Sequence, residues 1–447
     1  MNFIYSAINF LLLIPITCTH SYTSSALNDQ ITSMPGLNYY LTFNQFSGYL
    51  KLKSNPAKHI HYWLVESEIN PDTAPLVFWT NGGPGCSGLI GFMTEQGPFR
   101  PDKFGNIQLN KWSWNKIANM VFLEQPVGVG FSYSNNSSDY IIGDDQASKD
   151  NLETILSFLE RFPDFVKNPL YITSESYGGH YIPTWAEQIL AYNKNSSNPI
   201  NFKGFSVGNP YVDYYSGVGA QMQTYWDHQL LPVSSWSKYE QAGCTDPIGF
   251  LNSSRCSTLA LDFMKKIGNL NPYALDYPVC VSTQQNNMLK YLYTTNEDLP
   301  YEPCEDNWSQ QYLNNIEVKK SIHVKDIEWL ECSRTTKYSL LDKMKSTIHI
   351  YRKLIDYKET KLNILIYSGD NDAVCATKYT NQWIYELGYL PISNWKVWTV
   401  SNQVAGYETI FKAPNNFRFV TVHTAGHEVP TYKPEQAFTL FKTFINN

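Results

Sequence analysis

The chain is short of fixed charge. Only 17% of its 447 residues are Asp, Glu, Lys or Arg, and 34 basic residues against 40 acidic ones leave a net charge of −6. No basic cluster breaks that balance, which excludes the electrostatic footprint of a nucleic-acid binder. After residue 17 no apolar run is long enough to cross a bilayer. There is no internal repeat, which excludes a solenoid. There is also no His/Cys/Asp/Glu cluster with metal-ligand spacing, so neither a metal nor another cofactor is expected. His59, His61 and His228 stand apart and read as core or surface histidines.

What is present is a serine in an unusual setting. Leu170-Tyr171-Ile172-Thr173 is a short apolar run, followed by Ser174-Glu175-Ser176-Tyr177-Gly178-Gly179-His180 and then by helical spacing. A serine at the tip of a sharp strand-to-helix turn is the nucleophile elbow of α/β-hydrolases. The turn strains the serine backbone, so the residues two positions away must be small. Ser174 occupies one of those positions, where glycine is usual.

A serine hydroxyl needs a general base, and the base needs an orienting acid. In this fold the chain order is Ser, then Asp or Glu, then His. Asn363–Tyr367 reads as a buried strand running into Asp370-Asn371-Asp372, and Phe417–Val422 as another running into His423 and His427. Asp372 is assigned as the acid and His427 as the base, with Asp370 and His423 the alternatives. Each piece alone has a plain reading as an ordinary turn or a surface histidine; their order and shared strand-then-loop setting argue for a site. A second signal is Asn81-Gly82-Gly83-Pro84-Gly85-Cys86-Ser87 after Leu76-Val77-Phe78. Dense glycines let backbone N–H groups approach a ligand atom, although a plain tight turn has the same composition.

Asn81–Ser87, Glu175–Tyr181 and Gly426–Pro430 together resemble the serine carboxypeptidases, closest to the lysosomal cathepsin A branch. Phe46–Leu50, His61–Trp63, Glu124–Tyr133 and Tyr312–Asn315 extend the likeness along most of the chain. The resemblance implies a triad of Ser176, Asp372 and His427. It implies an oxyanion hole from the N–H groups of Gly83 and Tyr177, and a hold on the substrate's C-terminal carboxylate by Asn81, Glu95 and Glu175. Glu428, next to the base, is expected beside the leaving residue's side chain. The departures are Ser174 and the stretch Gly91-Phe92-Met93-Thr94 ahead of Glu95. The resemblance also suggests disulfides Cys86–Cys332, Cys244–Cys256 and Cys280–Cys304, with Cys375 a free thiol that is either mercurial-sensitive or buried and inert.

Residues 3–17 are apolar and followed by polar sequence, as in a signal peptide, with a signal anchor as the alternative. Sequons stand at Asn135, Asn136, Asn195, Asn252 and Asn307. The expected organisation is a signal peptide over 1–22, an α/β-hydrolase core over 23–211 and 307–447, and a disulfide-stapled cap inserted over 212–306. The central sheet is expected to be mixed and mostly parallel. Asp145–Arg161, Lys337–Tyr357 and Pro434–Ile445 carry helical apolar stripes.

The expected reaction is release of C-terminal amino acids from peptides at acidic pH, in a lysosome or vacuole, with an extracellular location second. The expected partners are peptides with a free C-terminal carboxylate; no membrane span remains after signal removal, and a homodimer is left open. The rivals are an acyltransferase built on the same triad and a stabilising partner in a lysosomal complex.

Overall fold

The computed structural model describes residues 22–53, 58–246, 253–280 and 301–446. Most of the expected signal peptide, Cys18, Asn252 and most of the Cys280–Cys304 interval lie outside the described residues.

Ten strands make the path of the central sheet: β1 (Gln45–Lys51), β2 (Lys58–Val65), β3 (Leu76–Thr80), β4 (Asn119–Glu124), β5 (Leu170–Glu175), β6 (Phe202–Gly208), β7 (Asn363–Gly369), β8 (Pro391–Val400), β9 (Gln403–Phe411) and β10 (Asn416–Val422). Their spatial order is β1-β2-β4-β3-β5-β6-β7-β10-β9-β8, with Tyr133–Ser134 beside β2. From β4 through β10 along that path every pairing is parallel. The two margins, β1-β2-β4 and β10-β9-β8, are antiparallel. The sheet is therefore mixed and mostly parallel, as expected.

The parallel strands are apolar on both sides because both faces are covered. Along β3, Leu76 and Phe78 join one core with Ile172, Trp185, Ile364 and Trp383. Val77 and Trp79 point the other way, into a second core with Trp63, Phe122, Phe441 and Phe444. Helices α1 (Asp144–Arg161) and α2 (Gly178–Asn195) supply Ile155, Phe158, Ile182 and Trp185 to the first. The C-terminal helix Pro434–Ile445 supplies Leu440, Phe441 and Phe444 to the second.

Residues 337–357 do not form the continuous helix their spacing predicts. Lys337–Tyr338 pairs with Ile141–Ile142 as a short strand, Leu340–Met344 is one helix, and Ile348–Ile355 is another. Local polar contacts override the stripe. Ser339 Oγ caps the first helix by accepting from Asp342 N at 3.2 Å. Thr347 is fixed elsewhere, donating through N to Val212 O and through Oγ1 to Gly179 O.

Between β6 and that segment the described elements are helices: α3 (Tyr214–Asp227), α4 (Val233–Gln241), α5 (Ser254–Ile267), α6 (Glu305–Leu313) and α7 (Ile316–Ser321). A small core of Trp236, Tyr239, Phe263 and Leu275 packs around Cys244–Cys256. Cys280 is bonded to Cys304 at the start of α6. The third bridge, Cys86–Cys332, spans 246 residues. On either side of it Ser87 N donates to Glu331 O (2.7 Å) and Ser333 N to Gly85 O (2.8 Å). All three pairings are those expected, and Cys375 is free and buried. Asn135, Asn136, Asn195 and Asn307 are exposed. No helix among the described residues is long and apolar enough to cross a membrane.

Loss of Cys86–Cys332 in a Cys86→Ser/Cys332→Ser pair is expected to cost about 5 kcal/mol in the chain-entropy model. Denaturant unfolding of wild type and variant checks this; a difference below about 1 kcal/mol would contradict a structural role for the bridge.

Candidate active site

β5 ends by turning into α2, and Ser176 sits in the turn at φ 57°. A residue with a side chain adopts this left-handed conformation only when its surroundings hold it there. Ser176 N donates to Gly208 O (3.0 Å), and Ser176 O accepts from Gly179 N (2.9 Å) and Tyr211 N (2.7 Å). The turn leaves little room. A Cβ on Gly178 would lie 2.2 Å from Ser174 Oγ, and one on Gly82 would lie 2.5 Å from Tyr177 N. Ser174 is accommodated because its Oγ donates to Thr80 O at 2.6 Å and Gly178 leaves its other side empty.

His427 follows β10. Its Nδ1 lies 2.6 Å from Asp372 Oδ2, and its backbone N donates to Tyr273 O at 2.7 Å. The Tyr273 ring meets the imidazole edge-on at 5.0 Å. Asp372 also accepts from Asn209 Nδ2 (3.0 Å), Val374 N (2.7 Å) and Cys375 N (3.0 Å). A carboxylate with four donors is fixed in place and leaves His427 Nδ1 protonated, so Nε2 is the free nitrogen. Nε2 is buried without a hydrogen-bond partner among the described residues. Ser176 and His427 line one cavity of about 280 Å³. Burial alone would lower the imidazole, but Asp372, with Glu428 and Glu95, holds it up at about 9.

The alternatives Asp370 and His423 are paired with each other at 2.7 Å, outside the cavity and partly exposed. Cys375 lies behind Ser176, within hydrogen-bonding reach of its side chain. Burial and the nearby Asp372 push the thiol well above its ordinary value. Single ligand atoms of Asp372, Cys375 and His427 lie within 4.8 Å of one another. The facing atoms of Asp372 and His427 are already engaged with each other.

The glycine loop after β3 reaches the elbow. Gly83 has φ 108°, and neither its N–H nor that of Tyr177 donates to any described group. Asn81 starts the loop and organises two glutamates. Its Nδ2 donates to Glu95 Oε1 (2.7 Å) and Glu175 Oε1 (2.8 Å). Its Oδ1 accepts from Trp79 Nε1 (2.8 Å) and Gly91 N (3.0 Å). Gly91, one of the sequence departures, has its reason here: a Cβ would sit 2.2 Å from Trp79 Nε1. Asn81 therefore has no N–H left over. The far oxygens Glu95 Oε2 and Glu175 Oε2 are buried without hydrogen-bond partners among the described residues. Burial lifts Glu95 to about 7, against hydrogen bonds that lower it. Burial and the neighbouring Glu95 push Glu175 well above the usual range. Glu428 faces the same cavity, and burial lifts it to about 8.

Sequence reasoning missed Asn209, which bonds both ends of the β7 loop: Gly369 N to its Oδ1 at 2.8 Å, and its Nδ2 to Asp372. It also missed Tyr273, Asp306 and Glu331 in the cavity wall. A lone Asn-Pro or an acidic residue beside a cysteine carries no pattern that separates it from surface sequence.

The model of a family described as serine carboxypeptidase matches residues 35–447. Serine carboxypeptidase-like 27 of Arabidopsis thaliana is 35% identical and covers 100% of this chain and 99% of its own. Serine carboxypeptidase 24 of the same plant is 34% identical, with 98% and 97% covered. The crystal structure of Kex1(delta)p, a prohormone-processing carboxypeptidase from Saccharomyces cerevisiae, superposes with a TM-score of 0.78. It covers 94% of this chain and 96% of its own at 22% identity, which speaks to the fold.

Gly178→Ala is expected to cost most of the activity, since overpacking of this kind costs about 1–3 kcal/mol and distorts the turn. Ser174→Gly in the same chain removes the clashing atoms and should restore a large part. Steady-state rates of the single and double variants check this; a double variant no better than the single would refute the packing account.

Proposed function

The chain belongs to the serine carboxypeptidase family, and from that premise we propose that it releases C-terminal residues from peptides through an acyl-enzyme on Ser176. One observation carries the reading beyond the family. Of the two Asn81-held glutamates, Glu175 lines the same small cavity as Ser176 and His427, and each has one oxygen without a hydrogen-bond partner among the described residues. A buried carboxyl raised out of its usual range is protonated over a wide pH span and can donate to a substrate carboxylate. Glu175 lines the cavity and makes that contact; Glu95 stands behind it, and Asn81 aligns both.

Ser176 Oγ attacks the carbonyl carbon of the last peptide bond while His427 Nε2 takes its proton. Asp372 steadies the imidazolium. Charge forming on the carbonyl oxygen is met by the free N–H groups of Gly83 and Tyr177, each worth about 2.7–4 kcal/mol. His427 passes its proton to the leaving amine, and the free amino acid departs. Water then gives a proton to His427 and attacks the ester, releasing the shortened peptide and restoring Ser176. Glu428 stands on the leaving-residue side of this arrangement.

The likeness to the cathepsin A branch, the boundaries 212–306 for the cap, and passage through the secretory pathway to a lysosome or vacuole belong to the same proposal. Three disulfides, four exposed sequons and the apolar stretch 3–17 support the last point. The relatives named carboxypeptidase-like favour a second reading, in which an alcohol or amine replaces water at the acyl-enzyme. Product analysis with and without an added alcohol separates the two.

Ser176→Ala should lower turnover of an N-blocked dipeptide on the order of 10⁶-fold and abolish labelling by a fluorophosphonate, with the thermal midpoint retained. Retention of more than about 1% of the wild-type rate would point to another nucleophile.

The pH dependence follows from the glutamates. Below about pH 7 Glu95 holds its proton; above it, Glu95 becomes anionic and its charge opposes the substrate's own carboxylate. KM for a peptide acid should therefore rise as pH passes 7, and KM for the matching peptide amide should not. Parallel curves for acid and amide would remove the carboxylate-holding role.

A further inference from the structure

The helix that starts at the nucleophile is gripped from its side. Tyr177 stands just before α2, and His180 lies in its first turn, three residues on and so on the same flank. Both side chains run to one carboxylate. Asp144, the first residue of α1, accepts from the Tyr177 hydroxyl at Oδ1 (3.1 Å), and its Oδ2 lies 2.9 Å from His180 Nδ1. Oδ1 also accepts at 2.6 Å from the hydroxyl of Tyr338, in the short strand beside Ile141–Ile142. Asp144 N donates to Asp342 Oδ2 at 3.2 Å, so its backbone is anchored as well. None of Asp144, His180 and Tyr338 lines the cavity that holds Ser176 and His427, and the steps on Ser176 do not use them.

The consequence falls on Tyr177. Its ring is buried, stacked on His180 at 4.5 Å and met edge-on by Tyr181 at 5.1 Å and Tyr338 at 5.3 Å. Its carbonyl accepts from His180 N (2.9 Å) and Tyr181 N (3.2 Å). Ring, hydroxyl and carbonyl are all taken up, and the N–H alone is left free. The histidine is a costly way to fill this space. Its Nε2 is buried without a hydrogen-bond partner among the described residues, a cost that an apolar side chain would avoid. What it contributes is Nδ1, and Nδ1 goes to Asp144. An oxyanion donor helps only when it points at the place where charge forms, so a small misalignment is felt in rate more than in binding.

We propose that Asp144 is a positioning residue for the reaction: by clamping Tyr177 and His180 it aims the Tyr177 N–H at the carbonyl oxygen under attack. The proposal rests on the reading of that N–H as an oxyanion donor. Asp144 itself touches no substrate. It ties the start of α1 to the first turn of α2, and the turn that carries Ser176 cannot rotate without breaking both bonds.

The test uses the full chain. Asp144→Ala and Tyr177→Phe should each lower kcat on an N-blocked dipeptide about tenfold, part of the roughly 10²–10³-fold that outright loss of an oxyanion donor costs, with KM within about twofold of wild type. N-blocked phenylalaninal, whose aldehyde takes up Ser176 Oγ as a tetrahedral adduct, should bind about tenfold more weakly to both variants. N-blocked phenylalaninol, which forms no adduct, should bind as it does to wild type. Adding Tyr177→Phe to Asp144→Ala should change kcat by less than about twofold, because the two groups act as one unit. Tyr338→Phe removes a bond to the same carboxylate without touching α2, so it should lower the thermal midpoint and leave kcat unchanged. The proposal is overturned if Tyr177→Phe, the variant that disturbs folding least, keeps kcat within about twofold of wild type. It is overturned equally if aldehyde and alcohol weaken together, or if Tyr338→Phe lowers kcat as far as Tyr177→Phe does, since either marks a structural role. If wild type binds the aldehyde no more tightly than the alcohol, the oxyanion reading itself fails, which an unchanged variant alone does not imply.

Discussion

Everything at the site depends on holding one side-chain-bearing residue in the left-handed region. Ser176 at φ 57° is unfavourable on its own, and the fold supplies its support from several directions. Gly208 at the end of β6 accepts its N–H, and Tyr211 and Gly179 donate to its carbonyl. Gly82 and Gly178 lack the atoms that would push it out. The parallel strands β3, β5, β6 and β7 lie side by side so that their carboxyl ends bring these groups to one point. Both hydrophobic layers serve that register: a slip of one residue would exchange the two faces of β3 and move the loop away from the elbow.

A second constraint is charge. Four carboxylates line a cavity of about 280 Å³, with Glu95 just behind. They coexist because burial raises several of them until a proton is shared among them rather than a full set of charges. Asn81 arranges the inner pair by spending both of its N–H bonds on them. His427 is held up by the same field that its own positive charge relieves, so base and acids titrate as a group.

The parallel core was legible because its strands are short unbroken apolar runs, and the runs at 76, 120, 170, 205, 364 and 417 all lie in strands. The antiparallel margins were less so. β1, β2 and β9 mix lysine, histidine, serine and threonine with apolar residues, since part of each meets solvent or polar neighbours. The candidate site was legible where chemistry imposes a local pattern, as at the elbow and the glycine loop. Asp372 and His427 were assigned from the order of strand-then-loop segments, which left Asp370 and His423 as alternatives, and the structure places the two sets in separate pairs. Asn209, Asp306 and Glu331 reach the site only through tertiary packing, and no spacing in the chain announces them. The stripe at 337–357 misled because amphipathic spacing says nothing of the caps at Ser339 and Thr347 that break it.

The three disulfides differ sharply in span: 12 and 24 residues for two of them, 246 for the third. A chain threading vectorially into an oxidising compartment therefore exposes Cys86 long before its partner emerges. For the whole of that interval it is an unpaired thiol, and four other cysteines pass by it. The closely spaced pairs can shut as soon as their second members appear, since short loops meet fastest. Their early closure removes the four competitors and leaves Cys332 as the natural acceptor. In such a compartment, slowing the closure of either short loop would show first as scrambled isomers of the nascent protein rather than as a loss of native stability.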